Sequence, residues 1–289
     1  MGWLGRSIDA SAKWLLKFRL IRAPARWLAN SRFAWSLVSR TDRVRANRLR
    51  DRIFHGEIPQ HVSIIMDGNR RFAENEGLDS SIGHRYGKQK LEEVMDWVLE
   101  LDIPYLTVYA LSTENVINRT EDELEVLFDL YVEGLEDLLK NERIFANRVK
   151  VQIAGHKELL PKNVIEAIEN AEKATANHDG CVFTICLAYG SREEILVAVR
   201  SIAEDHASGE VSIDEIDEKM ISKRLYTGGL PDPDLIIRTS GEERISNFLL
   251  WQAAYSELYF TDVFWPSFSK SDFFNAIESY QNRRRRFGE

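Results

Sequence analysis

The chain has 289 residues, 44% of them apolar and 29% charged, with a formal net charge of −8. That balance describes a folded globular protein and excludes collagen-like, low-complexity and intrinsically disordered chains. The only two cysteines, Cys181 and Cys186, stand five apart in one expected strand and face opposite sides, so neither a local disulfide framework nor a zinc site is expected, and a reducing cytoplasm is the inference.

Taken in chain order, the first segment is unlike the rest. Residues 1–52 hold 13 Lys and Arg against 3 Asp and Glu, a balance of +10, which leaves −18 on the remainder. Four of the seven tryptophans, Trp3, Trp14, Trp27 and Trp35, fall here. Charges interrupt every apolar run, so no stretch is long enough to span a bilayer, and no clean apolar region precedes a cleavage site. Trp14, Leu15, Phe18 and Ile21 recur at helical spacing between Lys17, Arg19 and Arg22, as in basic amphipathic helices that lie on membrane surfaces. Residues 1–56 therefore read as a basic, Trp-rich helical extension, with residues 1–52 in peripheral contact with the inner face of the cell membrane. The alternative is a helix lying on its own domain. Nucleic acid is not an expected partner, because the body is acidic and no recognition module is present.

Residues 57–289 read as one domain. Short apolar runs predict strands at Val62–Met66, Tyr105–Leu111, Val149–Ala154, Cys181–Ala188, Leu235–Arg238 and Leu258–Phe260. Helical patterns fall at about 84–101, 121–146, 162–177, 192–207, 214–225, 246–255 and 271–286. The alternation implies an α/β fold: a mainly parallel central sheet of about six strands with helices on both faces. The segment at 121–146 would be roughly 39 Å long as a continuous helix, and it is apolar on more than one face. No internal repeat or low-complexity linker divides the domain.

Two strand ends carry chemistry. Val62–Met66 runs into Asp67-Gly68-Asn69-Arg70-Arg71, and ligands of open parallel sheets sit beyond the carboxyl ends of strands. A carboxylate, a permissive glycine, an amide and two guanidinium groups suit a metal-bound phosphate, although an ordinary turn with solvated charges explains this stretch equally well when taken alone. The second stretch, Arg238-Thr239-Ser240-Gly241-Glu242-Glu243-Arg244-Ile245-Ser246, again ends a strand in arginine, and Ser246 is expected to open an apolar helix whose free N–H groups receive an anion. No Walker loop is present, no G-x-G-x-x-G follows a strand, and there is no Asp-Asp-x-x-Asp.

Together with Gly83-His84, Ser112-Thr113-Glu114-Asn115, Glu257-Leu258-Tyr259-Phe260 and Arg286-Phe287-Gly288, these stretches closely resemble the cis-prenyltransferases, the undecaprenyl diphosphate synthase-like family, from about His61 to Glu289. The resemblance implies a Mg2+-dependent homodimeric transferase with a hydrophobic tunnel. It would condense an allylic prenyl diphosphate with successive isopentenyl diphosphates in cis, giving a polyprenyl diphosphate that serves as a lipid carrier precursor for glycan assembly. It makes Asp67 and Asn115 catalytic, and Asp67 and Glu257 metal-binding. Gly68, Asn69, Arg70, Arg71, Phe72 and His84 fall to the allylic diphosphate, with Ser112, Thr113, Glu114 and Arg119 nearby. Arg238, Arg244, Ile245 and Ser246 fall to isopentenyl diphosphate, and Arg286 and Gly288 to a neighbouring subunit's site.

The chain departs from the family pattern in three places. Ser80 stands where many members have Arg, with Arg70 a candidate to replace part of that charge. Val116 replaces an aromatic residue, and the run to Arg119 is one residue longer. A metal role for Glu243 is open, and the proton acceptor is diphosphate, Asp67 or a water on Asn115. A non-catalytic partner subunit would be expected to lose Asp67 or Asn69, and a nucleotide enzyme would need a phosphate loop; neither condition holds. Every candidate residue lies beyond His61, so the N-terminal arm is expected to be dispensable for chemistry.

Overall fold

The structure is a computed structural model that describes residues 32–283. Trp3, Trp14 and Trp27 of the basic arm, together with Arg286 and Gly288, lie outside the described residues.

Among the described residues six strands form one parallel sheet: β1 (His61–Ile65), β2 (Tyr105–Tyr109), β3 (Lys150–Ala154), β4 (Val182–Cys186), β5 (Leu235–Arg238) and β6 (Glu257–Phe260). Their order is β3-β4-β2-β1-β5-β6. Every residue of β1 and β5 is buried, as continuous apolar strands covered on both faces should be. The chain leaves β1 toward β2 and returns on its other side as β5, so the order reverses at β1. Such a switch point opens a crevice beyond the carboxyl ends of the strands. The register aims the right residues into it: Ile65 lies beside Tyr109 on one side and Arg238 on the other.

Among the described residues ten helices pack around the sheet: α1 (Arg32–Ile53), α2 (Asn69–Glu76), α3 (Ser80–Glu100), α4 (Thr113–Asn118), α5 (Glu121–Lys140), α6 (Glu142–Ala146), α7 (Lys162–Ala174), α8 (Ser191–Ala207), α9 (Glu218–Arg224) and α10 (Lys270–Asn282). Four departures from the expected pattern bear on the site. Helix α2 was not anticipated, because its sequence NRRFAENE carries only Phe72 and Ala73 as apolar residues. Helix α3 starts at Ser80, capped by the Asp79 carboxylate accepting from the Ser81 N–H at 2.9 Å, so His84 lies in its second turn and not at its start. The expected 121–146 helix breaks at Asn141, whose side chain accepts from the Arg143 N–H and caps α6, leaving α5 about 30 Å long. The helix expected from Ser246 is absent. Ser246, Asn247 and Leu249 take left-handed φ values of 48°, 60° and 47°, and a short 3₁₀ turn follows at Gln252–Tyr255.

Helix α1 packs along α10 and buries Ala46, Leu49 and Ile53 in the main core. The extension drawn at 1–56 therefore includes part of the domain's own core. Burial of Leu49 and Ile53 contributes about 1.5–3 kcal/mol each, a large share of a typical stability of about 5–15 kcal/mol. Deleting residues 1–52 is expected to lower the melting temperature sharply, whereas deleting 1–31 leaves this packing in place. Calorimetry on the two truncations checks this; equal melting temperatures would remove α1 from the core.

His61 fixes the amino end of β1. Its Nδ1–H donates to the Pro231 carbonyl at 2.7 Å, so Nε2 accepts from the Thr107 hydroxyl at 2.8 Å, and the ring is held neutral. Burial lowers its pKa from 6.5 to about 4, against raising effects of Pro231 and Asp234. The unfolded chain binds this proton more readily than the folded one between those values. Stability contributed by His61, about 3 kcal/mol at most, is present above pH 6.5 and lost as pH falls toward 4. Denaturant titrations at pH 7 and pH 4.5 should show that loss, and a His61→Gln variant should show less of it.

Candidate active site

Asp67 stands just past β1 and is held by backbone and side chain together. Its N–H donates to Thr239 Oγ1 at 3.0 Å, its carbonyl accepts from that hydroxyl at 2.7 Å, and the Trp265 N–H reaches the same carbonyl at 3.0 Å. The two carboxylate oxygens accept separately: Oδ1 from Arg71 Nη2 at 3.0 Å and Oδ2 from Arg238 Nη2 at 2.9 Å. Gly68 then turns the chain at φ 105°. A Cβ there would lie 2.8 Å from the Phe264 ring and 3.0 Å from Ser240, so only glycine fits. As the residue before α2 it offers no side-chain cap, and the first-turn N–H groups of α2 face the crevice end of the sheet. Gly83 lets α3 approach α2, because a Cβ would meet the Asn69 carbonyl at 2.2 Å. That close approach brings His84 beside Asn69.

The crevice so formed has a volume of about 980 Å³. It gathers Asp67, Gly68, Asn69, Arg70, Arg71, His84, Ser112, Glu114, Asn115, Arg119, Arg238, Arg244 and Ser246 from four separate stretches of chain. Ser112 caps α4, its hydroxyl accepting from the Asn115 N–H at 3.0 Å, which fixes Asn115 in the first turn. Arg119 ends α4 and lies in the crevice in spite of the extra residue before it. Arg238 is 4% exposed; besides Asp67 it donates to Ser246 Oγ at 2.7 Å and to the Arg244 carbonyl. Arg238 thus joins the first strand end to the second.

The crevice is positively charged to a degree that its own carboxylates do not neutralise. Burial first, then the Arg119 and Arg70 charges, lower the His84 pKa to about 4. Burial and the Arg70 charge likewise depress that of Arg119. His84 is therefore a neutral ring at pH 7, able to donate one N–H to a phosphate oxygen. Seven buried side-chain polar atoms lack a hydrogen-bond partner among the described residues, and four of them, Asn69 Oδ1, His84 Nε2, Arg119 Nε and Arg238 Nε, belong to residues lining this crevice. Buried polar groups are normally satisfied; the Arg119 and Arg238 Nε–H groups, with His84 Nε2 in the tautomer that carries a proton there, are donors matched to a polyanion, whereas Asn69 Oδ1 is an acceptor that such an anion does not satisfy.

An apolar cavity of about 290 Å³ adjoins the crevice, sharing Met66, Asn69, His84, Tyr109, Ala110, Leu127 and Tyr131 with it. It runs between α3, α5 and the sheet, past Leu91, Met95, Leu130, Leu135, Leu138, Phe183, Ile185 and Leu187. Lys88 lies in its wall and pairs with Glu133 at 2.9 Å and with Asp137, tying α3 to α5.

Several expected site residues fall elsewhere. Phe72 packs edge-on against Tyr86, Thr113 is buried with its N–H on the Tyr189 carbonyl, and Ile245 packs against a small core cluster; none of the three lines the crevice. Glu243 is exposed outside it. Glu257 opens β6 and sits level with Leu235 and Val62, roughly 16 Å short of Asp67 along the strand direction, and its carboxylate takes Arg283 Nη1 at 2.6 Å. A metal at Asp67 therefore receives nothing from Glu257 of the same chain. No group of three or more His, Cys, Asp or Glu side chains capable of caging a metal occurs among the described residues. A single carboxylate beside a phosphate-sized crevice still fits Mg2+, which is commonly held by one or two carboxylates plus substrate phosphate oxygens. The sequence reading missed Thr239, which clamps Asp67, and Glu242, which bridges Arg71 at 3.2 Å and Arg244. Both lie within four residues of Arg238, and that proximity was the available signal.

A carboxylate shared by two arginine-lined strand ends, opening into an apolar cavity, suits an anionic ligand that carries an apolar tail. Residues 65–288 match the family model described as "Putative undecaprenyl diphosphate synthase", and the chain belongs to that family, the cis-prenyltransferases. It is 53% identical over 240 residues, 83% of this chain and 88% of the other, to the tritrans,polycis-undecaprenyl-diphosphate synthase (geranylgeranyl-diphosphate specific) of Methanopyrus kandleri. The same identity, over 80% of this chain and 89% of the other, relates it to the Thermoplasma volcanium protein of that name. Among solved structures, lavandulyl diphosphate synthase from Lavandula x intermedia in complex with dimethylallyl diphosphate superposes with a TM-score of 0.77 at 36% identity, covering 80% of this chain and 99% of that one. A probable undecaprenyl diphosphate synthase from Campylobacter jejuni gives 0.65 at 31%, covering 81% and 99%. The protein is an enzyme of cis-prenyl chain elongation. No helix among the described residues is long and apolar enough to cross a membrane.

Proposed function

We propose that this enzyme extends geranylgeranyl diphosphate with successive isopentenyl diphosphates to a long polyprenyl diphosphate, a precursor of a lipid carrier for glycan assembly. The observation that carries the reading is the junction of the cationic crevice with the apolar cavity: charge is gathered at the mouth, and the hydrocarbon lining of α3 begins at Leu91, two helical turns beyond His84. The C20 primer is supported by the names of the relatives at 53% identity.

In this reading the allylic diphosphate lies on the first turn of α2, with Asn69, Arg70, Arg71 and His84 around it and its tail in the cavity, which acts as a tunnel. Asp67 would hold Mg2+; when bound, the ion supplies stabilisation of the departing pyrophosphate charge. Arg70, Arg119 and the neutral His84 stabilise the same charge through hydrogen bonds. Isopentenyl diphosphate takes Arg244 and Ser246, with Arg238 setting its distance from Asp67. Its double bond attacks the allylic carbon as the C–O bond breaks, and a proton leaves its C2 toward diphosphate, Asp67 or a water on Asn115.

A homodimer belongs to the reading. β6 is the outer strand of the sheet, so a two-fold axis beside it would set the amino end of one copy's β6, with Glu257, against the carboxyl edge of the other. In that arrangement Glu257 and the C-terminal Arg286 and Gly288 serve the neighbouring site. The basic, Trp-rich residues before α1 provide peripheral contact with anionic membrane, where the lipid product can pass without crossing water.

The test is product sizing. Purified protein with Mg2+, labelled isopentenyl diphosphate and C10, C15 or C20 primers should extend the C20 primer with the highest kcat/KM. Faster use of C10 or C15 overturns the primer assignment, and absence of any cis-polyprenyl product overturns the function.

A further inference from the structure

Asn247 is the residue of the second strand-end loop to which neither the sequence motif nor the proposed reaction gives a part. It sits in the left-handed region at φ 60°, directly after Ser246 at φ 48°, in a loop with no helix to hold it. Its side chain is the hub of three elements. Oδ1 accepts from the Arg192 N–H at 2.9 Å, in the first turn of α8, and the Asn247 carbonyl accepts from the Ser191 N–H at 2.9 Å. Nδ2 donates to Glu114 Oε1 at 3.0 Å and to Glu193 Oε2 at 3.1 Å. Gly190 leaves room for this cluster, since a Cβ there would meet Glu193 Oε2 at 2.1 Å and Asn247 Nδ2 at 2.8 Å. Glu114 is the residue next to Asn115 on α4. Ser246 is the residue next to Asn247, and its hydroxyl takes Arg238, which reaches on to Asp67.

We infer that Asn247 is a positioning residue: its carboxamide locks the Arg244–Ser246 diphosphate pocket to the α4 turn that carries Asn115, fixing where the C2 of bound isopentenyl diphosphate lies relative to Asn115. The inference rests on the substrate reading proposed above. The amide is matched to the task because it both accepts and donates. An aspartate would set a third carboxylate against Glu114 and Glu193, and an alanine would supply neither bond while resisting the left-handed backbone. Glu114 is in turn suited to accept: partial burial raises its pKa, but its own N–H, the Asn247 amide and the Ser112 and Thr113 hydroxyls together hold it below the usual carboxylate range.

The experiment compares variants in steady state with isopentenyl diphosphate and a saturating allylic primer, and then with the roles reversed. N247G keeps the left-handed backbone and deletes only the amide. It should raise the KM for isopentenyl diphosphate about tenfold and lower kcat by a similar factor, with the allylic KM within about twofold of wild type. Glu193 lies outside the crevice, so E193A, which removes one acceptor, should raise the same KM by about threefold and leave the allylic KM unchanged. N247D should be more impaired than N247G, and adding E193Q should recover part of its activity, because the new amide donates to the aspartate. If N247G fails to fold, E193A and the N247D/E193Q pair decide the matter. Wild-type KM for isopentenyl diphosphate in folded N247G, or equal rises in both KM values following a fall in melting temperature, overturns the inference. A wild-type protein that consumes no isopentenyl diphosphate overturns instead the substrate reading beneath it.

Discussion

Asp67→Ala is expected to remain folded and to lose kcat by on the order of 10³-fold or more, because in the proposed reaction the carboxylate is needed chiefly as pyrophosphate departs. The geometry makes this more than the loss of one ligand. Arg71 and Arg238 each donate to a different oxygen of Asp67, so the carboxylate sets the direction of both guanidinium groups. Removing it leaves Arg238, whose side chain is 5% exposed, as a buried charge short of its partner. Breaking a fully buried pair costs about 3–5 kcal/mol; with Asp67 itself 28% exposed, the loss should lie at or below the low end of that range. Asp67→Asn keeps the shape and one acceptor, so it should recover stability without recovering turnover. Single-turnover rates with Mg2+, measured beside melting curves, separate the two effects. Near-normal rates in folded Asp67→Ala would remove Asp67 from the chemistry.

The second large effect belongs to Arg238. Its three donations, to Asp67, Ser246 and the Arg244 carbonyl, span both strand ends, so Arg238→Ala should raise the KM for isopentenyl diphosphate by tenfold or more and also lower kcat through the released Asp67. Arg238→Lys should rescue little, because one ammonium cannot reproduce a planar fork that reaches three acceptors. Arg244 is a useful contrast. Its side chain is 63% exposed and pairs with Glu242, so Arg244→Ala should raise the same KM while leaving the melting temperature unchanged. Wild-type kinetics in Arg238→Lys would show that the bridge between the strand ends does not matter.

The strands, and with them most of the site, were legible because parallel strands covered on both faces are mostly apolar and end abruptly in polar or turn residues. Asp67, Ser112 and Arg238 follow such runs, and each lines the crevice. What was hidden has particular causes. Helix α2 is nearly all polar because its outer side is in water, so no apolar period announced it. The turn at Ser246–Leu249 was read as a helix because its left-handed residues are not glycine; side-chain bonds from Asn247 hold a conformation that composition does not signal. Glu257 was assigned to the metal from a motif, but the strand register, which a motif does not carry, puts it at the opposite edge of the sheet. Helix α1 was grouped with the basic arm because charge dominates its composition, while Ala46, Leu49 and Ile53 carry its packing.

The unsatisfied buried nitrogens of His84, Arg119 and Arg238 tie the folding equilibrium to the supply of ligand. Each is a donor position that the chain leaves open when it folds and that the proposed diphosphate substrate would close. Ligand at about one hundred times its dissociation constant adds about 2.7 kcal/mol to the folded state, comparable with the burial of a large side chain in the core. A molecule with its site filled is therefore harder to open than an empty one, and its rate of proteolysis in vitro should fall as substrate is added.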